Sequence, residues 1–314
     1  MPALVSILIP CYNAAPWLAA TLESALGQTW PNCEIILVDD GSRDASLAVA
    51  EPFRPRGVTV IGQPNRGAAA ARNTALRASR GEWIQYLDAD DLLAPNKIEL
   101  QLAAAARQPG EFIHAARWAR FTDDPSSARF VPEVLCCDAD PVSWNVLKLE
   151  EHAMMHPAAW LSPRSLVERA GPWDETLTLD DDGEYFSRLV LLSAGVRCCP
   201  EAITLYRSRL ASSLSRSKSD RAWDSALRSI ESIASRLLAL EDSPRTWHAC
   251  ALATQRLIYE FYPRAPQVRR RAEALVARWG GAPDARPMGG TRFHQLSRVL
   301  GWRIARRVQL ALEK

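Results

Sequence analysis

Four short aliphatic runs open the chain: LVSILIP (4–10), EIILVDD (34–40), VTVIG (58–62) and EWIQYLD (82–88). Each stops at Pro, Gly or Asp, and continuous β-branched or aliphatic runs bounded in this way predict strands buried on both faces. Helical patterns lie between them: one after Asn13 with Pro16 in its first turn, one after Asp44, and an Ala-rich one from Gly67 to about Ala78. Because strand and helix alternate, the pattern predicts right-handed crossovers and a mainly parallel sheet with helices on both faces. Ligands of such sheets sit outside the carboxyl ends of the strands. Three polar clusters fall at those ends: PCYN (10–13), DDGS (39–42) and DADD (88–91).

Further along, the spacing predicts a helix over 95–107, a less regular region over 112–160 with strand character at FIHAARWARF (112–121), an acidic-fronted helix over 179–195 and a strand over 196–207. From Ser219 the pattern is helical, with breaks at Pro244, Pro263, Pro266 and the linker GGAPDARPMGG (280–290). The chain therefore divides into an α/β unit over residues 1–215 and an α-helical region over 216–314.

Composition narrows the class. With 314 residues, 47% hydrophobic and 24% charged, the chain can bury a sizeable core and does not resemble a disordered protein. No apolar run approaches the roughly 18 residues of a membrane span. The start MPALVSILIPCYN lacks a basic n-region and a small-residue cleavage site, so a cytoplasmic location is expected. Seven cysteines, with adjacent pairs at Cys136/Cys137 and Cys198/Cys199 and no CxxC spacing, are expected to be reduced and structural.

Net charge is only +2, but from Arg264 onward twelve Arg or Lys face three Asp or Glu, which leaves the preceding part acidic. That acidic remainder, without a recognition motif, argues against a nucleic-acid partner. The tail TRFHQLSRVLGWRIARRVQLALEK spaces Phe293, Leu296, Leu300, Ile304 and Val308 three or four apart, among Arg298, Arg303, Arg306 and Arg307. It reads as one basic amphipathic helix, suited either to peripheral contact with an anionic membrane face or to packing on the catalytic domain.

The DADD cluster carries the sharpest chemistry. Mg²⁺ commonly binds through one or two carboxylates plus substrate phosphates, which two usable acids match. The same acids also favour the start of the next helix. VDDGS alone suits an ordinary turn, and the tyrosine of PCYNAAPW suits stacking on a flat ring or burial in the core.

Together, the segments VSILIPCYNAAPWLAATLESALGQTWPNCEIILVDDGSRDAS, NRGAAAARNTALRASRGEWIQYLDADD and GPWDETLTLDDDGEYFSRL resemble the family 2 glycosyltransferases of the GT-A fold, over roughly residues 3–215. The resemblance implies a Rossmann-like sheet and an enzyme that moves a sugar, with inversion, from a nucleotide diphosphate sugar to an acceptor hydroxyl. UDP is expected ahead of GDP or dTDP as donor base, with Mn²⁺ or Mg²⁺ as cofactor. The acceptor is expected to be a glycan, a lipid-linked sugar or another hydroxyl compound, in cell-surface polysaccharide or glycoconjugate synthesis.

By the same resemblance Pro10 and Tyr12 line the nucleobase pocket, Asp40 hydrogen-bonds the base and Arg72 lies beside the nucleotide. Asp88 approaches the ribose and donor sugar, Asp90 ligates the metal, and Asp91 caps the following turn. The general base falls in the triplet 180–182, with Asp182 first and Asp181 as the alternative register. His156, Trp160 and the segment around Arg207 and Arg209 fall on the acceptor and diphosphate side. Two rival readings stand beside this one: a nucleotidyltransferase, whose Gly-rich triphosphate loop is missing after the first strand, and a non-catalytic nucleotide- or glycan-binding relative.

Overall fold

A computed structural model describes residues 2–108, 110–130, 133–208, 219–287 and 290–312. Strands β1 (Val5–Cys11), β2 (Cys33–Asp39), β3 (Val58–Gly62) and β4 (Trp83–Tyr86) alternate with helices α1 (Ala15–Leu26), α2 (Ser46–Ala50) and α3 (Ala68–Ala78). The four strands pair in parallel in the order β3-β2-β1-β4, as the alternation predicted. Every residue of β1 is buried, which explains its unbroken aliphatic run. Helix α2 is short because Pro52 and Pro55 follow it, and the chain there tightens into a 3₁₀ turn, Glu51–Arg56.

The chain then changes the sense of pairing. Next come β5 (Leu92–Leu93), α4 (Lys97–Arg107), β6 (Ile113–Phe121), β7 (Arg129–Phe130), α5 (Pro141–Glu151), β8 (Trp160–Pro163), α6 (Arg164–Ala170), α7 (Asp181–Leu192) and β9 (Val196–Arg207). The sheet continues β4-β8-β6-β9-β5, with β7 off β6. Strands β8 and β6 join antiparallel, β9 runs parallel to β6, and β5 returns antiparallel on β9. At the change of sense the buried side chains of Gln85, Lys97 and Gln101 bond the carbonyls of Ala158, Trp160 and Ala159 at 3.0–3.2 Å, satisfying buried backbone leading into β8. Helix α5 was not legible in the region read as irregular.

Helices α8 (Asp220–Leu240), α9 (Pro244–Phe261), α10 (Pro266–Arg278), α11 (Thr291–Leu300) and α12 (Trp302–Leu312) complete the chain. Three of them open on predicted breakers: Pro244 and Pro266 sit in first turns, and the linker precedes α11. Helices α8, α9 and α10 share one apolar cluster with Val146 and Leu149 of α5 and Leu191 of α7. The expected boundary at 215 falls outside the described residues. The single tail helix is corrected to two, because Gly301 adopts φ +77° between them.

The cysteines are also corrected. Cys136 and Cys198 are joined by a disulfide, while Cys11, Cys33, Cys137, Cys199 and Cys250 are free. The bridge forms because Ala139 pairs with Val196 at the start of β9, a tertiary contact that sequence spacing does not reveal. Among the described residues, no helix is long and apolar enough to cross a membrane.

Candidate active site at the strand ends

The loops after β1, β2 and β3 are stitched together by side chains. Asn13, at φ 51°, donates its N–H to Ser42 Oγ (3.0 Å), and its Oδ1 accepts the N–H of Arg43 (2.8 Å). The buried Asp40 carboxylate accepts from Gln63 Nε2 (2.7 Å) and the N–H groups of Arg66 (2.9 Å) and Gly67 (2.8 Å). It therefore fixes the turn that opens α3, where Gly67 sits at φ 94°. Pro10 is buried, and Tyr12 beside it is 46% exposed, an aromatic face left open at the strand ends.

Helix α3 carries the next part. Arg72, 5% exposed, stacks on Trp173 with its guanidinium carbon 4.4 Å from the ring centroid. One terminal nitrogen donates to Asp88 (2.8 Å) and the other to Asp181 (2.9 Å). Burial opposes the charge on Arg72, but the two carboxylates outweigh it and hold its pKa above the usual value. Neighbouring Asn73 exchanges hydrogen bonds with the Trp173 backbone (2.8 and 3.0 Å), so α3 gathers the loop that leads to α7.

The DADD loop spans the switch from β4 to β5. Asp91 is buried and its carboxylate accepts the N–H of Arg207 (2.8 Å) and pairs with His156 Nδ1 (2.9 Å). The other His156 nitrogen meets Thr204 Oγ1 at 2.8 Å. Burial pushes the His156 pKa down to about 3, so its bond to Asp91 is a hydrogen bond of a neutral imidazole. Arg207 donates from Nε to the Asp90 carbonyl (3.0 Å), from Nη1 to Thr122 O (2.5 Å), and stacks on Phe121. The strand that ends at Arg207 thus anchors the acidic loop.

Several expectations change as a result. Asp91 ties the loop to β9 and His156, instead of capping the following turn. His156 is 1% exposed and supports Asp91 from behind, and Trp160 is 1% exposed, stacked on Phe186 in the core. Both are closed off from the surface. Arg207 is 7% exposed and grips backbone, and Arg209 lies outside the described residues. Sequence reading also missed Trp173, Asn73 and Gln63; only the Arg72–Asn73 adjacency in NRGAAAARN offered a signal.

Asp88 and Asp90 remain partly exposed at the loop surface. Burial, then the charges of Asp91 and Asp88, push the Asp90 carboxyl up to about 8, a carboxylate under repulsion that a cation would relieve. Among the described residues no group of three or more His, Cys, Asp or Glu forms a metal cage. A hard divalent ion completed by phosphate oxygens needs only one or two carboxylates, so these residues fit it.

The acidic triplet opens α7. Asp180, at φ 59°, occupies the N-cap position without a side-chain cap bond, Asp181 meets Arg72, and Asp182 accepts the N–H of Gly183 (2.8 Å). Burial, then the charges of Asp181 and Asp180, raise the Asp182 carboxyl to about 7. Burial also raises Asp181, and Arg72 partly offsets it. A carboxylate poised near neutrality is suited to take a proton.

Comparison with known proteins bears on this arrangement. Residues 6–140 match the family model described as Glycosyl transferase family 2. An uncharacterized glycosyltransferase of Rickettsia typhi is 30% identical over 192 residues, covering 61% of this chain and 60% of that protein. The uncharacterized glycosyltransferase EpsJ of Bacillus subtilis is 29% identical over 215 residues, covering 66% and 62%. The chain thus spans about three-fifths of the length of these relatives. Among solved structures, S. aureus TarS in complex with UDP superposes with TM-score 0.61 at 15% identity, covering 88% of each chain. The Pyrobaculum calidifontis mannosyltransferase PcManGT, in complex with GDP-Man and Mn²⁺, gives 0.55 at 17%, covering 100% of this chain and 88% of that one. At these identities the likeness is one of fold.

Proposed function

Because the chain belongs to the family 2 glycosyltransferases and has their GT-A fold, we propose that it transfers a sugar from a nucleotide diphosphate sugar to an acceptor hydroxyl, with inversion. The observation that carries this reading is the convergence of Asp88, Arg72 and Asp181 in one ion-paired cluster beside Asp90 and Asp182. In this reading Tyr12 stacks on the base and Pro10 lines its pocket. Asp40 accepts from the base through the one remaining lone pair, on Oδ2, that its three protein donors leave free. UDP is the favoured base.

Asp90 and Asp88 would hold Mn²⁺ or Mg²⁺, which supplies charge neutralisation on the departing diphosphate. Arg72 holds and aims Asp88, and the Asp91–His156–Arg207 set fixes the loop that presents Asp90. Asp182 takes the acceptor proton as the hydroxyl attacks the face opposite the leaving group, with Asp181 committed to Arg72. The 1–215 unit carries the chemistry and the 216–314 region supports it, within polysaccharide or glycoconjugate synthesis at the cytoplasmic side of the membrane.

Peripheral membrane contact through the tail belongs to the same reading. Ile304, Val308 and Leu312 lie four apart on α12 with exposures of 47%, 38% and 82%, and Val299 at the preceding corner is 80% exposed. Arg298, Arg303 and Arg307 are exposed around them, a pairing of apolar and cationic groups that fits an anionic lipid face. Phe293 instead turns inward.

Calorimetric titration of UDP- and GDP-sugars with Mn²⁺ into wild type and Asp90→Ala tests the donor site. Metal-dependent binding in wild type and its loss in the variant are expected; equal binding in both would remove Asp90 from the metal.

A further inference from the structure

The acidic triplet is held from behind by the helical region. Helix α8 presents Ser225, Ser229 and Ser232, spaced four and three apart on one face, toward the segment that leads into α7. The buried Ser225 hydroxyl accepts the N–H groups of Thr178 (2.8 Å) and Leu179 (2.9 Å) and donates to the Leu179 carbonyl (2.8 Å). Ser229, 0% exposed, donates to Asp180 Oδ2 at 2.6 Å. Ser232 donates to Glu184 Oε1 at 2.9 Å, and Glu184 in turn binds Arg188, which holds the Pro172 carbonyl.

Three consecutive residues, 178–180, are therefore fixed by two serines one turn apart, immediately before the residues that carry the site's acids. The consequence appears at Asp180, whose φ of 59° is a conformation that few non-glycine residues adopt. With one carboxylate oxygen on Ser229, the other lies over Gly183, where an added Cβ would stand 1.9 Å from Asp180 Oδ1. Gly183 is thus the residue that lets the Asp180 carboxylate fold under the first turn, next to Asp182, whose Oδ1 accepts the Gly183 N–H.

We propose that the serine row of α8, with Ser229 at its centre, positions the Asp182 carboxylate through Asp180, which makes the helical region a working part of the active site. The proposal rests on the reading of Asp182 as the general base. Ser229 is a positioning residue: it touches neither substrate nor metal and acts through the turn that Asp182 occupies. Misplacement of a reacting group by about 1 Å can lower a rate on the order of 100-fold, so the expected effect is on kcat.

The test is a double-mutant cycle on transfer kinetics with Ser229→Ala, Asp182→Asn and the pair. Ser229→Ala is expected to lower kcat by about 10- to 100-fold with the donor KM unchanged, and Ser229→Thr, which keeps the hydroxyl, is expected to restore it. In the Asp182→Asn background Ser229→Ala is expected to have no further effect. Wild-type kcat in Ser229→Ala, or the same fold loss in both backgrounds, overturns the positioning role while leaving the base in place. Full activity in Asp182→Asn instead overturns the base assignment, and the positioning role with it.

Discussion

Arg72 and Asp181, 109 positions apart in the chain, meet at 2.9 Å, and the same guanidinium reaches Asp88 at 2.8 Å. One buried cation thereby ties the acidic loop after β4 to the acidic start of α7. The two carboxylates are about a quarter exposed and the arginine almost not at all.

Removing that cation leaves two repelling carboxylates. Arg72→Met is expected to lower stability by about 2 kcal/mol, below the value for a fully buried pair because both acids still reach water. Arg72→Lys keeps the charge but not the fork, since a single ammonium cannot present two separate terminal nitrogens on a planar frame. Lysine is therefore expected to recover part of the melting temperature and little of the transfer rate. Wild-type kcat/KM in Arg72→Lys would contradict the bridging role.

A base whose carboxyl sits near 7 must be deprotonated to act. Transfer by the donor-saturated enzyme should fall tenfold per pH unit below about 7 and level off above it. Asp182→Asn should lose about 10²- to 10⁴-fold in kcat with donor binding retained. A pH profile of kcat that stays flat from acid to neutral would move the base elsewhere.

The raised carboxyls also have a stability consequence, opposite in sign to the usual ion-paired acid. Asp90 at about 8 and Asp182 at about 7 hold protons that the unfolded chain releases near the ordinary carboxylate value of 3.8. Between those limits the folded state binds more protons, so stability is greatest at low pH and falls as pH rises toward 8. The metal-free protein should therefore melt lower at pH 8 than at pH 6. Asp90→Asn should melt above wild type at pH 8, and Mn²⁺ with UDP should raise the wild-type melting temperature more at pH 8 than at pH 6. Equal melting of wild type and Asp90→Asn at pH 8 would contradict the repulsion at this loop.

The tail offers a separate test. Wild type should sediment with phosphatidylglycerol vesicles and not with phosphatidylcholine vesicles, and added salt should weaken the binding. Ile304→Ser with Val308→Ser should abolish it while leaving transfer to a water-soluble acceptor intact. Binding that survives both substitutions would mean that another surface carries it.

The parallel half of the fold was legible because β1, β2 and β4 are largely buried and read as short, mostly aliphatic runs, while β3 at the sheet edge alternates buried and exposed positions. The polar clusters that hold Asp40 and Asp88 were legible as strand ends, whereas Arg72, inside α3, and Asp182 were singled out only through the family resemblance. What was not legible depends on pairing across distance. Trp160 and His156 look alike in sequence whether they face a ligand or the core, and only the fold puts Phe186 against one and Asp91 against the other. The Cys136–Cys198 bridge requires the 139–196 contact, which no spacing rule supplies. Likewise, nothing in the serines of α8 distinguishes them from solvent-facing residues until Ser229 is seen against Asp180. The tail broke at Gly301 because a positive φ there ended the periodic run read as one helix.

The proposed activity requires that this site cleave the bond between sugar and diphosphate. Incubating the protein with a panel of UDP-, GDP- and dTDP-sugars, with Mn²⁺ or with a chelator, and identifying the released nucleotide tests it most directly. Nucleoside diphosphate release from at least one donor, dependent on metal and lost in Asp90→Ala, is expected. Pyrophosphate released from a nucleoside triphosphate, with no nucleoside diphosphate from any donor, would contradict it.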